Sequence, residues 1–577
     1  MSSPSDTTRP TPGAGTEESD SWLRHWGPAI AVSLAMFVGV IDSTLMNVAI
    51  PAIVLDLDTT VAVVQGAIAF YSMVIAALIL PGGKLASMFP IRRLLRVTLV
   101  VYGIGTLLAA VSWNVVVLYV GWSFIEGAAA AVLLPLTFTV LIVSYEGRDR
   151  AKALGILAGV NATGTAVGPI LGGALTTFAS WRWGFALEVL VVLVTLWFVR
   201  YLPDTRLSDE PERLDLGGTV LSVVAVVALV AGFILSSRYG WLLARRPFAL
   251  GGVQLNPFGT SPTVWLVGFG LLTFAAFVQY ERRVAERGGS PLVPLYLLRN
   301  AQLTAGVATN TIRSLVLAAF IFVIPVFLQS AVGYSAFEAG LAMLPFSAAT
   351  LVASTLTTGW RQHVSPRTLV QAGTVLMGVG LLWLVVQTSL SLTILQLVLP
   401  MATFGLGLGL VMAQLIDMTL SAVDTVDSSA ASGVLNATSM LGYALGTAVV
   451  GAYLLRGFYE NVVDGVLSAT GTPISQGERN DLVVALEDAL ETATAESQQA
   501  FLAQLTPTQQ EVLRGVFDAA MLDAQRGTLL LLTLLVLVML LSTTLLPQQH
   551  PVSTPPSPHP DSSVTPSLDT DGSTTQE

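Results

Sequence analysis

Five ionisable side chains fall inside long apolar runs of this 577-residue chain: Asp42, Glu126, Glu188, Arg313 and Asp417. A charge in hydrocarbon costs about 2.5–3.5 kcal/mol on insertion scales, so such positions mark chemistry unless they reach a surface. A carboxyl group there is suited to carrying a proton. Burial favours its neutral form and a nearby Arg favours its charged form, so a change of surroundings loads or unloads it. Asp42 lies about fourteen residues into its run, and Glu126 about ten residues from the start of its own. At about 1.5 Å per residue both belong to the same half of a bilayer and can share one cavity. Asp42, Glu126 and Glu188 are therefore the candidate proton-coupling groups. Asp42, Glu126, Arg313 and Asp417, with Trp122 and Met46, form the candidate substrate-binding set, and Met36, Phe37 and Phe124 are candidate apolar walls. Arg313 is the only basic side chain away from a run end, and is expected to pair with a carboxylate or to anchor an anionic group. Asp417 and Glu188 lie closer to the ends of their runs, where reaching the membrane surface is an equally open role. Four acids against one Arg favour a cation or a polar amphiphile as substrate.

Other chemistry is poorly supplied. There is no cysteine, and the four histidines are scattered, so neither a metal centre nor a bound cofactor is expected. No nucleophile–base pair or phosphate loop appears, which argues against an enzyme. The formal net charge of -10 argues against nucleic acid as a partner.

The elements that position these groups are membrane helices. The chain is 53% hydrophobic and 11% charged, with mean hydropathy +0.71, whereas soluble domains carry about 25% charged residues. Runs long enough to span lie at 28–51, 62–86, 94–112, 116–143, 152–178, 183–202, 215–235, 263–280, 304–329, 337–358, 368–388, 393–420, 429–453 and 527–546, fourteen in all. With the N-terminus in the cytoplasm, eighteen of the 27 Lys and Arg fall on the inner side and eight on the outer, Arg313 being the remaining one. That bias places both termini inside. Residues 1–25 and 547–577, rich in Ser, Thr, Pro and acids, read as disordered cytoplasmic tails. The outer loop 457–526 is long. Val512, Leu513, Val516, Phe517, Met521 and Leu522 recur on one helical face, and Leu482, Val483, Leu486 and Leu490 on another. It reads as a packed helical cap, with a gate or a platform for an extracytoplasmic partner as the alternative.

Five of the fifteen residues from Gly159 to Gly173 are glycine, with Pro169 beside Gly168. Such a density suits a membrane helix whose neighbours approach closely. Gly159-Val-Asn161-Ala-Thr163 is echoed by Gly433-Val-Leu-Asn436-Ala-Thr438, and Pro90-Ile-Arg92-Arg93 by Pro366-Arg367. A weak internal repeat points to two pseudo-symmetric halves with the substrate site between them.

The spacing of Gly159, Gly168, Pro169, Gly172 and Gly173 resembles the fifth-helix antiporter motif of the major facilitator superfamily. Asp42-Ser-Thr44-Leu-Met-Asn47-Val-Ala-Ile-Pro51 is similar to the first-helix signature of its fourteen-helix drug:proton antiporter branch. Ser180-Trp181-Arg182-Trp183, Leu214-Asp215-Leu-Gly217, Phe327-Leu328-Gln329, Gly333-Tyr334-Ser335 and Ala339-Gly340-Leu341 match further motifs in order. The chain departs from the family where Ser87, Pro90, Gln362, Ser123, Glu126 and Glu188-Val-Leu190 replace its usual motif residues.

The resemblance implies an all-α polytopic membrane protein of the major facilitator fold, two six-helix halves at 26–202 and 301–546, with two extra helices in a linker at 203–300. It implies that the helices bearing Asp42, Glu126, Arg313 and Asp417 line a central cavity, and that the glycine motif with Arg92 and Arg93 governs conformational change. The expected function is a proton-coupled antiporter in the plasma membrane, exporting a lipophilic or cationic small molecule. Its partners are that substrate, protons and the bilayer. Export of an envelope lipid or metabolite, and a non-transporting membrane scaffold or sensor, are the alternatives.

The topology is directly testable because the chain lacks cysteine. Of single cysteines at Ser5, Thr470 and Ser562, only that at 470 is expected to react with an impermeant thiol reagent in intact cells; labelling at 5 or 562 refutes the arrangement.

Overall fold

The computed structural model describes residues 14–206, 214–250, 253–254, 257–360, 364–423, 428–471, 474–492 and 503–547. Of the tails expected at 1–25 and 547–577, residues 1–13 and 548–577 lie outside them. The first half is built from α1 (Ala14–Asp56), α2 (Val61–Met88), α3 (Ile91–Ala110), α4 (Val115–Ser144), α5 (Gly147–Phe178) and α6 (Arg182–Phe198). Two further helices follow, α7 (Leu216–Tyr239) and α8 (Pro262–Glu286). Their loop holds a two-residue antiparallel ribbon, Ala249–Leu250 with Val253–Gln254. The second half comprises α9 (Ala301–Ser330), α10 (Ala336–Trp360), α11 (Pro366–Gln387), α12 (Ile394–Leu420), α13 (428–470), α14 (Gln476–Thr492) and α15 (Pro507–Thr543).

Thirteen helices among the described residues are long and apolar enough to cross a membrane. They account for every expected span except 152–178. There α5 is one continuous helix, of which Val167–Phe178 forms a shorter apolar stretch. The described start of α1, which meets Tyr145 at the end of α4, and the end of α15, where Thr544 O accepts from Arg367 at the start of α11, lie on one face, here the terminal face; α14 lies on the opposite, loop face.

The helix pairings repeat. In the first half α1 packs on α5 and α6, α2 on α4, and α3 on α4 and α6. In the second, α9 packs on α13 and α15, α10 on α12, and α11 on α12 and α15. The halves meet where α5 packs on α10 and α13 on α2. The extra pair α7–α8 packs against itself and leans on α2.

Residues 14–25, expected in the tail, are the first turns of α1. The Tyr145 hydroxyl anchors that start, donating to His25 O at 2.7 Å and accepting from Ala29 N at 3.2 Å, with the Trp26 ring stacked on Tyr145.

The described parts of the long loop, 457–471, 474–492 and 503–526, are largely helical. α13 runs on past its apolar span and α15 begins well before its own, so the two helices rise together beyond the membrane. Phe458 packs on Phe517 with ring centroids 5.6 Å apart, and Asn461 Nδ2 donates to Ala520 O at 3.3 Å. α14 buries Val483 against Tyr459 and Val463. It starts with a capping box, in which the Ser475 N–H and hydroxyl both donate to Glu478 at 2.8 Å. Those bonds hold the Glu478 carboxyl below its usual range. Arg246, from the α7–α8 loop, is buried against α14: it pairs with Glu487 at 2.8 Å and with Asp488, and donates to Val484 O.

Placing two charges in the cap with Leu513→Asp and Phe517→Asp is expected to cost about 2 kcal/mol or more and to lower the thermal unfolding midpoint. An unchanged midpoint in scanning fluorimetry means the stripe is not packed.

Candidate functional site

The three candidate proton-coupling groups come together. Asp42 on α1, Glu126 on α4 and Glu188 on α6 each place a carboxylate oxygen within 4.8 Å of the others. All three are buried, at 0%, 0% and 2% exposure. The close approach has a local cause. A Cβ on Gly105 would lie 2.7 Å from Glu126 N, and one on Gly121 would lie 2.7 Å from Leu108 Cβ, so α3 and α4 touch only because both are glycine. At the same place α4 widens into a π-helical turn, Tyr119–Glu126, a feature frequent at functional sites.

Each acid is only partly satisfied. Trp122 Nε1 donates to Asp42 Oδ1 at 2.7 Å, and Thr106 Oγ1 donates to Glu126 Oε2 at 2.8 Å. Tyr71 stacks on Trp122 with centroids 4.9 Å apart, closing the site on the α2 side. Asp42 Oδ2, Glu126 Oε1, both Glu188 oxygens and the Tyr102 hydroxyl have no hydrogen-bond partner. No basic side chain among the described residues pairs with the three acids. Such an arrangement can hold protons, or a bound cation, at the expense of the anionic charges.

This geometry departs from the expected cavity lining. Asp42 and Glu126 are enclosed within the first half by α1, α2, α3, α4 and α6. The central cavity was expected between the halves, which they do not face. Phe124, expected to wall the site, is 54% exposed on the outside of α4. Asp417 is exposed near the end of α12. Arg313 pairs with no carboxylate; its partners are Asn310 and Ser314. Met46 is fully buried as packing. Arg92 is half-buried, and Arg93 is exposed, at the start of α3.

Sequence reading missed Thr106, Tyr102 and Tyr71, whose approach to the acids depends on how α2 and α3 pack. It also missed Asp56. That residue accepts from Trp181 Nε1 at 2.9 Å and pairs with Arg182, which also donates to Ser112 O at 2.6 Å. The Trp-Arg motif therefore locks the loop face of the first half.

The glycine motif closes the loop face between the halves. A Cβ on Gly168 would meet Thr44, and one on Gly172 would meet Leu45, so α5 lies directly on α1. A Cβ on Gly173 would strike the Ala336 carbonyl, and one on Gly340 the Pro169 carbonyl, so α5 also touches α10 backbone to backbone. Thr177 Oγ1 accepts from Phe337 N at 2.9 Å, Gln329 Nε2 donates to Val48 O at 3.0 Å, and Gln65 Nε2 donates to Thr447 O at 3.0 Å. Gly159 lies about 40° from Gly173 around the helix, yet Gly155 and Gly159 have nothing within 4 Å. The α5 face that is sealed near the loop face is thus open near the terminal face.

The Major Facilitator Superfamily model matches residues 32–447. The chain belongs to that family. It is 32% identical over 424 residues to the cephamycin export protein CmcT of Amycolatopsis lactamdurans, covering 72% of this chain and 82% of that one. It is 28% identical to the puromycin resistance protein pur8 of Streptomyces alboniger, covering 74% and 81%. It is 28% identical to the multidrug resistance protein Stp of Mycobacterium tuberculosis (strain ATCC 25618 / H37Rv), covering 74% and 75%. Among solved structures, a bacterial homologue of the human lysosomal transporter Spinster, inward-facing and unoccupied, superposes with a TM-score of 0.58 at 14% identity, covering 91% of this chain and 98% of that one. The curated relatives are antibiotic export and multidrug resistance proteins, and this chain is a multi-pass membrane protein of the same family.

A side chain at position 340 has only backbone to push against. Gly340→Val is expected to part α5 from α10 at the loop face. A cysteine at Thr44, buried beneath that contact, should then react with a thiol reagent about tenfold faster in the purified valine variant than in the glycine parent. Equal rates would show that the contact does not hold the face shut.

Proposed function

We propose that the protein is a proton-coupled exporter of lipophilic small molecules, working by alternating access in the cell membrane with both termini in the cytoplasm. The observation that carries the proposal is the enclosed group of Asp42, Glu126 and Glu188, buried together with four unpartnered oxygens. Three anions without a countercharge lack solvation and repel one another; protonation relieves both penalties. A site of this kind changes its proton load when the surrounding helices move. It lies on α1, the helix that also carries the contacts to α5 and to Gln329 at the loop face. Export fits the relatives, whose names record export of or resistance to cephamycin and puromycin.

In this cycle the substrate enters between the halves from the terminal face while the loop face is sealed. Proton uptake at the acids from the opposite side accompanies its release there. Glu188, on α6, is a full member of the group, sharing the proton with Asp42 and Glu126.

The test uses proteoliposomes with a cephamycin as the transported compound and an imposed pH gradient. Asp42→Asn is nearly isosteric and mimics the protonated acid. It should preserve folding and downhill exchange while lowering gradient-driven accumulation at least about tenfold. Glu188→Gln should behave in the same way. Full proton-driven accumulation by the Asn variant at every pH around neutrality would remove Asp42 from the mechanism, and sodium-driven accumulation in place of proton-driven would make the acids a cation site.

A further inference from the structure

Arg313 stands about 18 Å along α9 from Ala301, at 1.5 Å per residue, and is 5% exposed. Its Nε donates to Asn310 Oδ1 at 3.0 Å and its Nη2 to Ser314 Oγ at 2.9 Å. Ser314 is bonded in turn to Ser439 of α13 at 2.6 Å. These partners are neutral, and Nη1 has none. A guanidinium cannot shed its proton in a protein, and an ion buried without a counterion costs several kcal/mol. Asn310 and Ser314 fix the plane of the group, leaving its Nη1 edge to an acceptor that the described residues do not supply.

The helix repeat shows where this residue stands. Gly172 of α5 lies on Leu45 of α1, and Gly446 of α13 lies on Leu315 of α9. Aligning those two contacts puts Ile312 at the register of Asp42, and Arg313 at the register of Ser43, at a depth close to that of the acids. In the first half that register is held by a half-buried neutral side chain; in the second it is held by a buried cation. The acids are enclosed among the helices of their own half, so Arg313 is left without them as countercharge.

We propose that Arg313 is the anchor of an anion subsite, and that the transported molecule carries a carboxylate, sulfonate or phosphate group. The inference rests on the exporter reading and narrows its substrate class. A tally of four acids to one base pointed to a cation; the placement of those charges reverses that choice. An oxyanion gives the free Nη1 edge a charge-assisted acceptor, with the Ser314–Ser439 pair beside it.

The test is binding to the purified full-length protein, with 2-naphthoate, its neutral isostere 2-naphthamide and inorganic phosphate as probes, read by thermal unfolding midpoint across a titration. Naphthoate should raise the midpoint and naphthamide should not. Arg313→Met should weaken naphthoate binding by about tenfold or more, and Arg313→Lys, which keeps the charge and guards against a folding defect, should retain part of the response. A response to phosphate equal to that for naphthoate assigns the subsite to the oxyanion alone; a response to naphthoate only adds an apolar wall to it. The proposal is overturned if the parent responds equally to naphthoate and naphthamide, if it responds to neither, or if the Met variant keeps the parent's response. Loss of the anion response with gradient-driven export intact would reject the subsite alone, and the converse would reject the coupling alone.

Discussion

Asp42, Glu126 and Glu188 occupy a space too dry for three anions, and much of the first half is arranged around that fact. Trp122 and Thr106 each give one hydrogen bond to the group, which leaves most of the carboxyl oxygens unsatisfied. Gly105 and Gly121 let α3 and α4 close over it, and the stacked pair of Tyr71 and Trp122 covers it from α2. An apolar core of the same volume would be cheaper to build. The proposed proton exchange rests on the presence of acids in such a site.

That exchange is connected to the shape of the whole molecule through α1. Within about two turns this helix carries Asp42, the Thr44 and Leu45 contacts to the glycines of α5, and the Val48 carbonyl that accepts from Gln329 of the other half. Rotation of α1 against α5 therefore changes the surroundings of Asp42 and the seal at the loop face together. The second half repeats the helix pairing with a different charge: Gly442 and Gly446 lie on α9 as Gly168 and Gly172 lie on α1, and α9 carries a base where α1 carries an acid one register away. The two halves share a scaffold and divide the electrostatic work.

Much of this was legible in the sequence because bilayers constrain sequences strongly. Apolar runs of about twenty residues mark helices without ambiguity, and the glycine spacing from 159 to 173 signals a helix that must approach its neighbours. The acids could be singled out, since burying them has an evident cost. Their enclosure could not be read: whether Asp42 faces a cavity or its own bundle depends on a rotation of α1 that an all-apolar helix does not encode. The exposure of Phe124 and Asp417 could not be read for the same reason, since near-uniform hydrophobicity hides which side faces outward. The early part of α1, around His25 and Ala29, is held by Tyr145, more than a hundred residues away, and no local pattern announces it. Asp56, the partner of the Trp-Arg motif, is distant in sequence in the same way.

The extra pair α7–α8 leans on α2 in the first half, and α7 also touches α13 of the second, with Val230 buried between Met73 and Ala444. Arg246 at the tip of the pair is bound to α14, which also belongs to the second half. The pair thus lies along the seam of α2 and α13 and bridges the halves twice, by apolar packing beside the seam and by an ion pair in the cap. Any movement that parts the halves on this side has to carry the pair with one of them or slide it across the seam.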